Sequence, residues 1–224
     1  MLSLPKSIFT FLNDLENNND RDWMSQNKVR YIDSETYLKQ FYEGIKERLN
    51  EKDEIEKIKV FRINRDIRFS KDKTPYNIHR SASFSRSGLH RRGGYYLRIE
   101  NRNSRIAGGF FDPNAEDLLR IRKEFERDDS EIREILNQKD FKKAFGGFSV
   151  LNQVKTAPKG FNKNHSAIDL IRNKSFVVSH TFTNDEVLAA NFTDNVIYHY
   201  ELLRPFFDYM SDVLTTDLNG VPLI

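Results

Sequence analysis

The chain contains no cysteine. Disulfides, thiolate nucleophiles and Cys-ligated metals are excluded together, and the composition suits a reducing compartment. No apolar run reaches the 18 or so residues that a membrane-crossing helix needs. The opening stretch "MLSLPKSIFTFLNDLENNN" lacks a positively charged start that leads into an apolar segment, and Asn13 and Asp14 interrupt it early, so it does not read as a secretory signal. Histidine is scarce. His79, His90, His165, His180 and His199 show no ligand-like spacing. Walker loops, dinucleotide fingerprints, nucleophile elbows and paired carboxylates are absent as well. The expectation is a soluble cytoplasmic protein with no metal, no cofactor and no membrane partner. Enzymatic activity and oligomeric state have no signal in the sequence.

What is present is a chain able to bury a sizeable core, with 18 Phe, 9 Tyr and 38% hydrophobic residues among 224. The formal charge of +3 is unevenly spread. Between Arg62 and Arg105 stand 12 Lys/Arg against 3 acids, whereas the remainder holds 24 against 30. A basic middle in an acidic surround suits an anionic partner. It equally suits pairing between the two parts.

The apolar periodicity changes along the chain. Residues 5–16 carry Ile8, Phe11, Leu12 and Leu15 on one helical face. Asp20 suits the N-cap of a second helical region over 21–50, with a break expected near Asp33–Ser34. From Phe61 to Phe69 the period becomes two, as in a strand with Phe61, Ile63, Ile67 and Phe69 on one face. "SASFS" reads as a further strand, and "GGYYLRIE" and "SRIAGGFF" as a hairpin, with glycine pairs at 93–94 and 108–109 marking bulges or close backbone approach. Helices return with Asp112–Pro113 as a start, with an Asp128/Glu131 capping box, and, after a strand in "KSFVVSHTF", with a Thr183/Glu186 box opening a helical region split near Pro205. The order predicts a single domain over 1–224 of the α+β class, a mainly antiparallel sheet packed with N- and C-terminal helices.

The candidate chemistry lies in "RINRDIRFSKDKTPY", residues 62–76. Arg65 interrupts the apolar row of the expected strand. A core-facing guanidinium needs an acid partner or several carbonyls. The other readings are a cavity where Arg65 meets an anion, or a bulge that turns it outward. On the opposite face Asp66 is spaced to hold both Arg62 and Arg68. Lys71 and Lys73 follow in the turn and Tyr76 adds a hydroxyl, so the segment could grip phosphate or carboxylate through forked hydrogen bonds. Lys159 and His165, in the polar loop "KTAPKGFNKNH", are candidates to cover such a site. His180, on an apolar strand face, reads as a core residue. Asp66 and Asp72 sit among cations, which makes them poor general acids.

"FLNDLENNNDRDWMSQNKVRY", "RINRDIRFSKDKTPY", "GGYYLRIE", "AGGFFDP" and "APKGFNKNHSAIDLIRNKSF" together resemble a widespread bacterial and fungal family known only as a domain of unknown function. The resemblance spans nearly the whole chain, and "RDIRFSKDKTPY" is its most specific part. It implies one α+β domain and no established activity. Two departures stand out. Met24 occupies a position that is usually aromatic in the family, and Asn162 and Asn164 replace two acids of its late loop.

Three functions fit this reading. The first is binding of a small phosphate- or carboxylate-bearing ligand at Arg62, Arg65, Asp66, Arg68, Lys71, Lys73 and Tyr76. The second is nucleic-acid binding through the basic middle, with Phe84, Tyr95 and Tyr96 as stacking residues. The third is a protein-interaction domain without a pocket.

Overall fold

The computed structural model describes residues 3–149, 152–217 and 220–223. It is α+β, with a five-stranded antiparallel sheet in the order β1-β2-β3-β4-β5, so that each strand pairs with its neighbours in sequence. The strands are β1 (Ile55–Val60), β2 (His79–Arg86), β3 (Gly94–Glu100), β4 (Ser104–Phe110) and β5 (Phe176–Phe182). The chain divides into two compact units. One comprises the residues up to Ser85 with Tyr96–Ile106 and Thr181–Tyr198; the other comprises Arg86–Tyr95, Ala107–His180 and the residues from His199 onward.

In the first unit, α1 (Lys6–Asn17) buries Ile8, Phe9, Phe11, Leu12 and Leu15, the face set by its apolar spacing. Asp20 accepts the Trp23 N–H at 2.8 Å and caps α2 (Arg21–Gln26). The break expected at Asp33–Ser34 lies instead at Asn27, whose side-chain amide donates to Trp23 O at 2.9 Å and closes the end of α2. Helix α3 (Lys28–Leu49) runs through Ser34 unbroken. Its Phe41 and Tyr42 are fully buried, Phe41 stacked on Phe192 at 5.8 Å and Tyr42 edge-on to Phe84 at 6.4 Å. The Thr183/Glu186 capping box forms, with Thr183 N–H donating to Glu186 Oε2 at 2.7 Å at the start of α8 (Asn184–Leu188). Helix α9 (Phe192–Leu202) begins in this unit.

The second unit holds α4 (Ala115–Arg127), α5 (Ser130–Asn137), α6 (Lys139–Phe145), α7 (Ile168–Ile171) and α10 (Arg204–Thr215). Asn114, not Asp112, caps α4, by accepting the Asp117 N–H at 2.9 Å. The Asp128/Glu131 box does not form. Asp129 is the residue before α5, so Glu131 sits one position too early to reach back, and Asp128 accepts the Ser130 N–H instead. The split near Pro205 is present: Leu203 separates α9 from α10, and Pro205 lies in the first turn of α10, where its missing N–H costs nothing. Phe125, Phe176, Phe206 and Phe207 fill this core. Gly109, at φ +138°, lies against the Phe176 carbonyl, which is the close backbone approach that the glycine pair announced.

Candidate functional site

The strand expected over Phe61–Phe69 is not one. The sheet strand β1 ends at Val60, and Phe61 N–H makes one more bond, to Ser81 O at 2.9 Å. Beyond it the chain pairs with itself. Asn64 and Tyr76 form an isolated antiparallel bridge, Arg65 N–H donates to Pro75 O at 2.9 Å, and Asn77 N–H donates to Ile63 O at 2.7 Å. Residues 62–78 are therefore a loop closed at its base. Ile63 is buried as its spacing implied, but Phe69, on the same expected face, is 96% exposed. The turn that Thr74–Pro75 forces brings the chain back before Phe69 can join a sheet. Asn19, from the "NNND" breaker, tethers the loop by donating to Tyr76 O at 2.9 Å and accepting its N–H at 3.1 Å. Tyr76 thus takes part through its backbone.

Arg65 neither points into the core nor sits on a ladder bulge. Its guanidinium donates to Asp72 Oδ2 at 2.6 Å, to Thr74 O at 3.0 Å and to the Thr74 hydroxyl, and so fastens one arm of the loop to the other. The Thr74 N–H, its hydroxyl and then Arg65 hold the Asp72 carboxyl down to about 2. Asp66 holds Arg68 only, and not Arg62. Both of its oxygens are engaged, 3.0 Å from Nε and 2.7 Å from Nη2. The Lys73 ammonium donates to Ile67 O at 2.9 Å. Among the described residues, Lys71 and Arg62 have no side-chain partner.

Beside the base of this loop, within the first unit, is an open hollow of about 580 Å³. Of the residues singled out in the sequence, Arg62, Arg65, Asp66 and the stacking candidate Tyr96 line it; Arg68, Lys71, Lys73 and Tyr76 do not. Sequence reasoning missed most of its wall. Lys59, on β1, adds a cation whose ammonium lies 5.2 Å from the Phe61 ring centroid. Phe61 and Tyr96 meet edge to face at 6.1 Å. Asn64, Asn77, His79 and Ser81 supply the polar lining. Burial, followed by the charges of Arg98, Arg80 and Arg105, pushes the His79 imidazole down to about 4, so it is neutral at ordinary pH. The one available signal was adjacency: Lys59, Phe61 and His79 are the residues at which strands enter and leave the charged segment.

Much of the remaining basic middle is matched by acids. Arg80 is buried against Glu35, with Nη2 2.7 Å from Oε2. Arg98 pairs with Glu100 at 2.6 Å. In the second unit Arg92 pairs with Asp117, and Arg86 lies 3.5 Å from Asp208. Phe84 and Tyr95, two of the three proposed stacking residues, are core. Lys159 and His165 belong to the second unit, where Lys159 is exposed and His165 Nδ1 accepts the Ala167 N–H at 3.1 Å just before α7. Asn162 Oδ1 accepts the Asn164 N–H at 2.9 Å, so that loop is shaped by its own amide. His180 donates through Nδ1 to Ala144 O at 2.8 Å and its ring lies tilted against that of His199 at 4.1 Å, as a strand-face packing residue does.

A model of the DUF2461 family, described as conserved hypothetical protein, matches residues 7–209. The chain belongs to this family. No curated protein and no solved structure matches it. The DUF2461 span contains the whole self-paired loop and every residue that lines the hollow. Among the described residues of this DUF2461 chain, no helix is long and apolar enough to cross a membrane, and no cluster of three His, Asp or Glu is placed to hold a metal ion.

Proposed function

We propose that the protein binds a small anionic ligand, bearing phosphate or carboxylate, in the hollow at the base of the 62–78 loop. One observation carries this reading. Lys59 and Arg62 line the hollow, and among the described residues neither has a carboxylate or hydrogen-bond partner for its charged group. The neighbouring Arg65 is already fixed in place by Asp72 and Thr74, so its remaining donors are preorganised. The acid of the site, Asp66, has both oxygens occupied by Arg68. Phe84 and Tyr95 are buried and closed off from stacking, which favours a discrete ligand over a nucleic-acid strand laid along the sheet.

Thermal unfolding with added inorganic phosphate, sugar phosphates and small carboxylates tests the proposal. A ligand at 100 times its dissociation constant adds about 2.7 kcal/mol. At least one of these anions raises the melting temperature of the wild type. Arg62→Ala weakens that ligand tenfold or more, because a hydrogen bond to a charged group is worth about 1.5–3 kcal/mol. A flat wild-type response to all of them refutes the proposal.

A further inference from the structure

We infer that the anion is carried on a flat, hydrogen-bonding ring, which makes the ligand a nucleotide bound one residue at a time. This rests on the anion-binding reading above and adds to it. A site for phosphate alone needs cations and amides and no aromatic wall. Here Phe61 and Tyr96, each half-buried, form an edge-to-face pair at 6.1 Å in the lining of the same hollow that holds Arg62. Their rings offer a surface on which a base can stack. Lys59 sits 5.2 Å from the Phe61 ring centroid, so a cation and the aromatic wall are in contact rather than at opposite ends of the hollow.

The polar lining matches the edge of a base. Asn64 and Asn77 each bring a carboxamide to the lining, with donor and acceptor on one planar group, the pairing that reads nucleobase edges; the Asn77 amide donates one of its two N–H groups to Arg62 O at 3.3 Å and keeps the other and its oxygen. His79 adds a ring with one donor and one acceptor nitrogen and no charge of its own at neutral pH. The hollow, about 580 Å³, lies within the roughly 300–1,000 Å³ typical of small-molecule sites. A single nucleotide fits that scale. A longer strand would need further stacking positions, and Phe84 and Tyr95 lie in the core.

Calorimetric titration separates the parts of the ligand. The probes are the four nucleoside 5′-monophosphates, ribose 5-phosphate, inorganic phosphate, the unphosphorylated nucleosides and a single-stranded octanucleotide. The expected result is that at least one monophosphate binds tenfold or more tightly than ribose 5-phosphate. Tyr96→Leu should abolish that margin and leave ribose 5-phosphate binding as it was. Tyr96→Phe, which keeps the ring and the packing, should retain the margin, so a folding defect in the leucine variant does not decide the outcome. Ribose 5-phosphate or phosphate binding as tightly as every nucleotide overturns the inference and leaves anion binding standing. An octanucleotide that binds far more tightly than any monophosphate overturns the one-residue site. No binding by any phosphate compound overturns both readings.

Discussion

Asp66 grips Arg68 with both carboxylate oxygens, at 3.0 Å and 2.7 Å, while Arg62, four residues before Asp66, has no acid beside it among the described residues. The pairing decides which charge the hollow presents. Asp66 lines the hollow and Arg68 does not, so for the anion proposed to bind there Arg68 would act at a distance, by occupying a carboxylate that otherwise repels it. Arg68→Ala should therefore weaken anion binding about two- to fivefold, the modest effect expected of a solvent-screened surface ion pair. Adding Asp66→Asn should restore it. Titration of both variants with the anion that stabilises the wild type checks this, and a double variant no better than Arg68→Ala counts against the repulsion argument.

Glu35 and Arg80 make a deeply buried ion pair in the first unit, with side-chain exposures of 13% and 3%. Removing one partner strands the other charge in a low-dielectric setting. Glu35→Ala should cost about 3–5 kcal/mol in urea unfolding. Replacing both with apolar residues, Arg80→Met with Glu35→Leu, should recover most of that loss, because no charge then remains unpaired. A double variant as unstable as the single one would mean that the pair supplies net attraction.

The two glycines at the end of β4 separate backbone crowding from side-chain crowding. A Cβ at Gly108 meets the Leu203 methyl group, the far end of a flexible side chain. A Cβ at Gly109 meets the Phe176 carbonyl and the Val177 Cα, and its φ of +138° is one that L-residues rarely adopt. Gly109→Ala should destabilise by about 3 kcal/mol or more and Gly108→Ala by clearly less. Chemical denaturation of the two variants orders them, and equal losses would contradict the distinction.

The fold class, the hairpin, the Thr183/Glu186 cap and the glycine close approach were legible because each rests on local chemistry within a few residues. The loop at 62–78 was not. Its alternation of Phe61, Ile63, Ile67 and Phe69 is the pattern of a half-buried strand, and periodicity does not report whether a partner strand exists. Here the backbone groups of Arg65 and Asn77 are taken by Pro75 and Ile63, residues of the same segment. Charge density singled out Arg62 and Arg65, and aromaticity Tyr96, and all three line the hollow, whereas Lys59 and Asn77 were not singled out, because only the fold brings them to it.

His79 ties the electrostatics of the site to stability. Its folded-state pKa lies near 4, against an ordinary value of 6.5, chiefly through burial and then through Arg98, Arg80 and Arg105. Between those two values the unfolded chain holds a proton that the folded chain does not, so unfolding takes up protons. The contribution is fully present above pH 6.5, falls as the pH drops from 6.5 to about 4, and changes little below that. The gap in unfolding free energy between wild type and His79→Gln should accordingly shift in favour of the variant across this window. An anion in the hollow stabilises the imidazolium, so saturating ligand should move the midpoint of the His79 Cε1–H resonance upward from about 4. A midpoint already near 6.5 in the free protein would mean that the ring is not buried as described, and one that ligand leaves unmoved would place the anion away from His79.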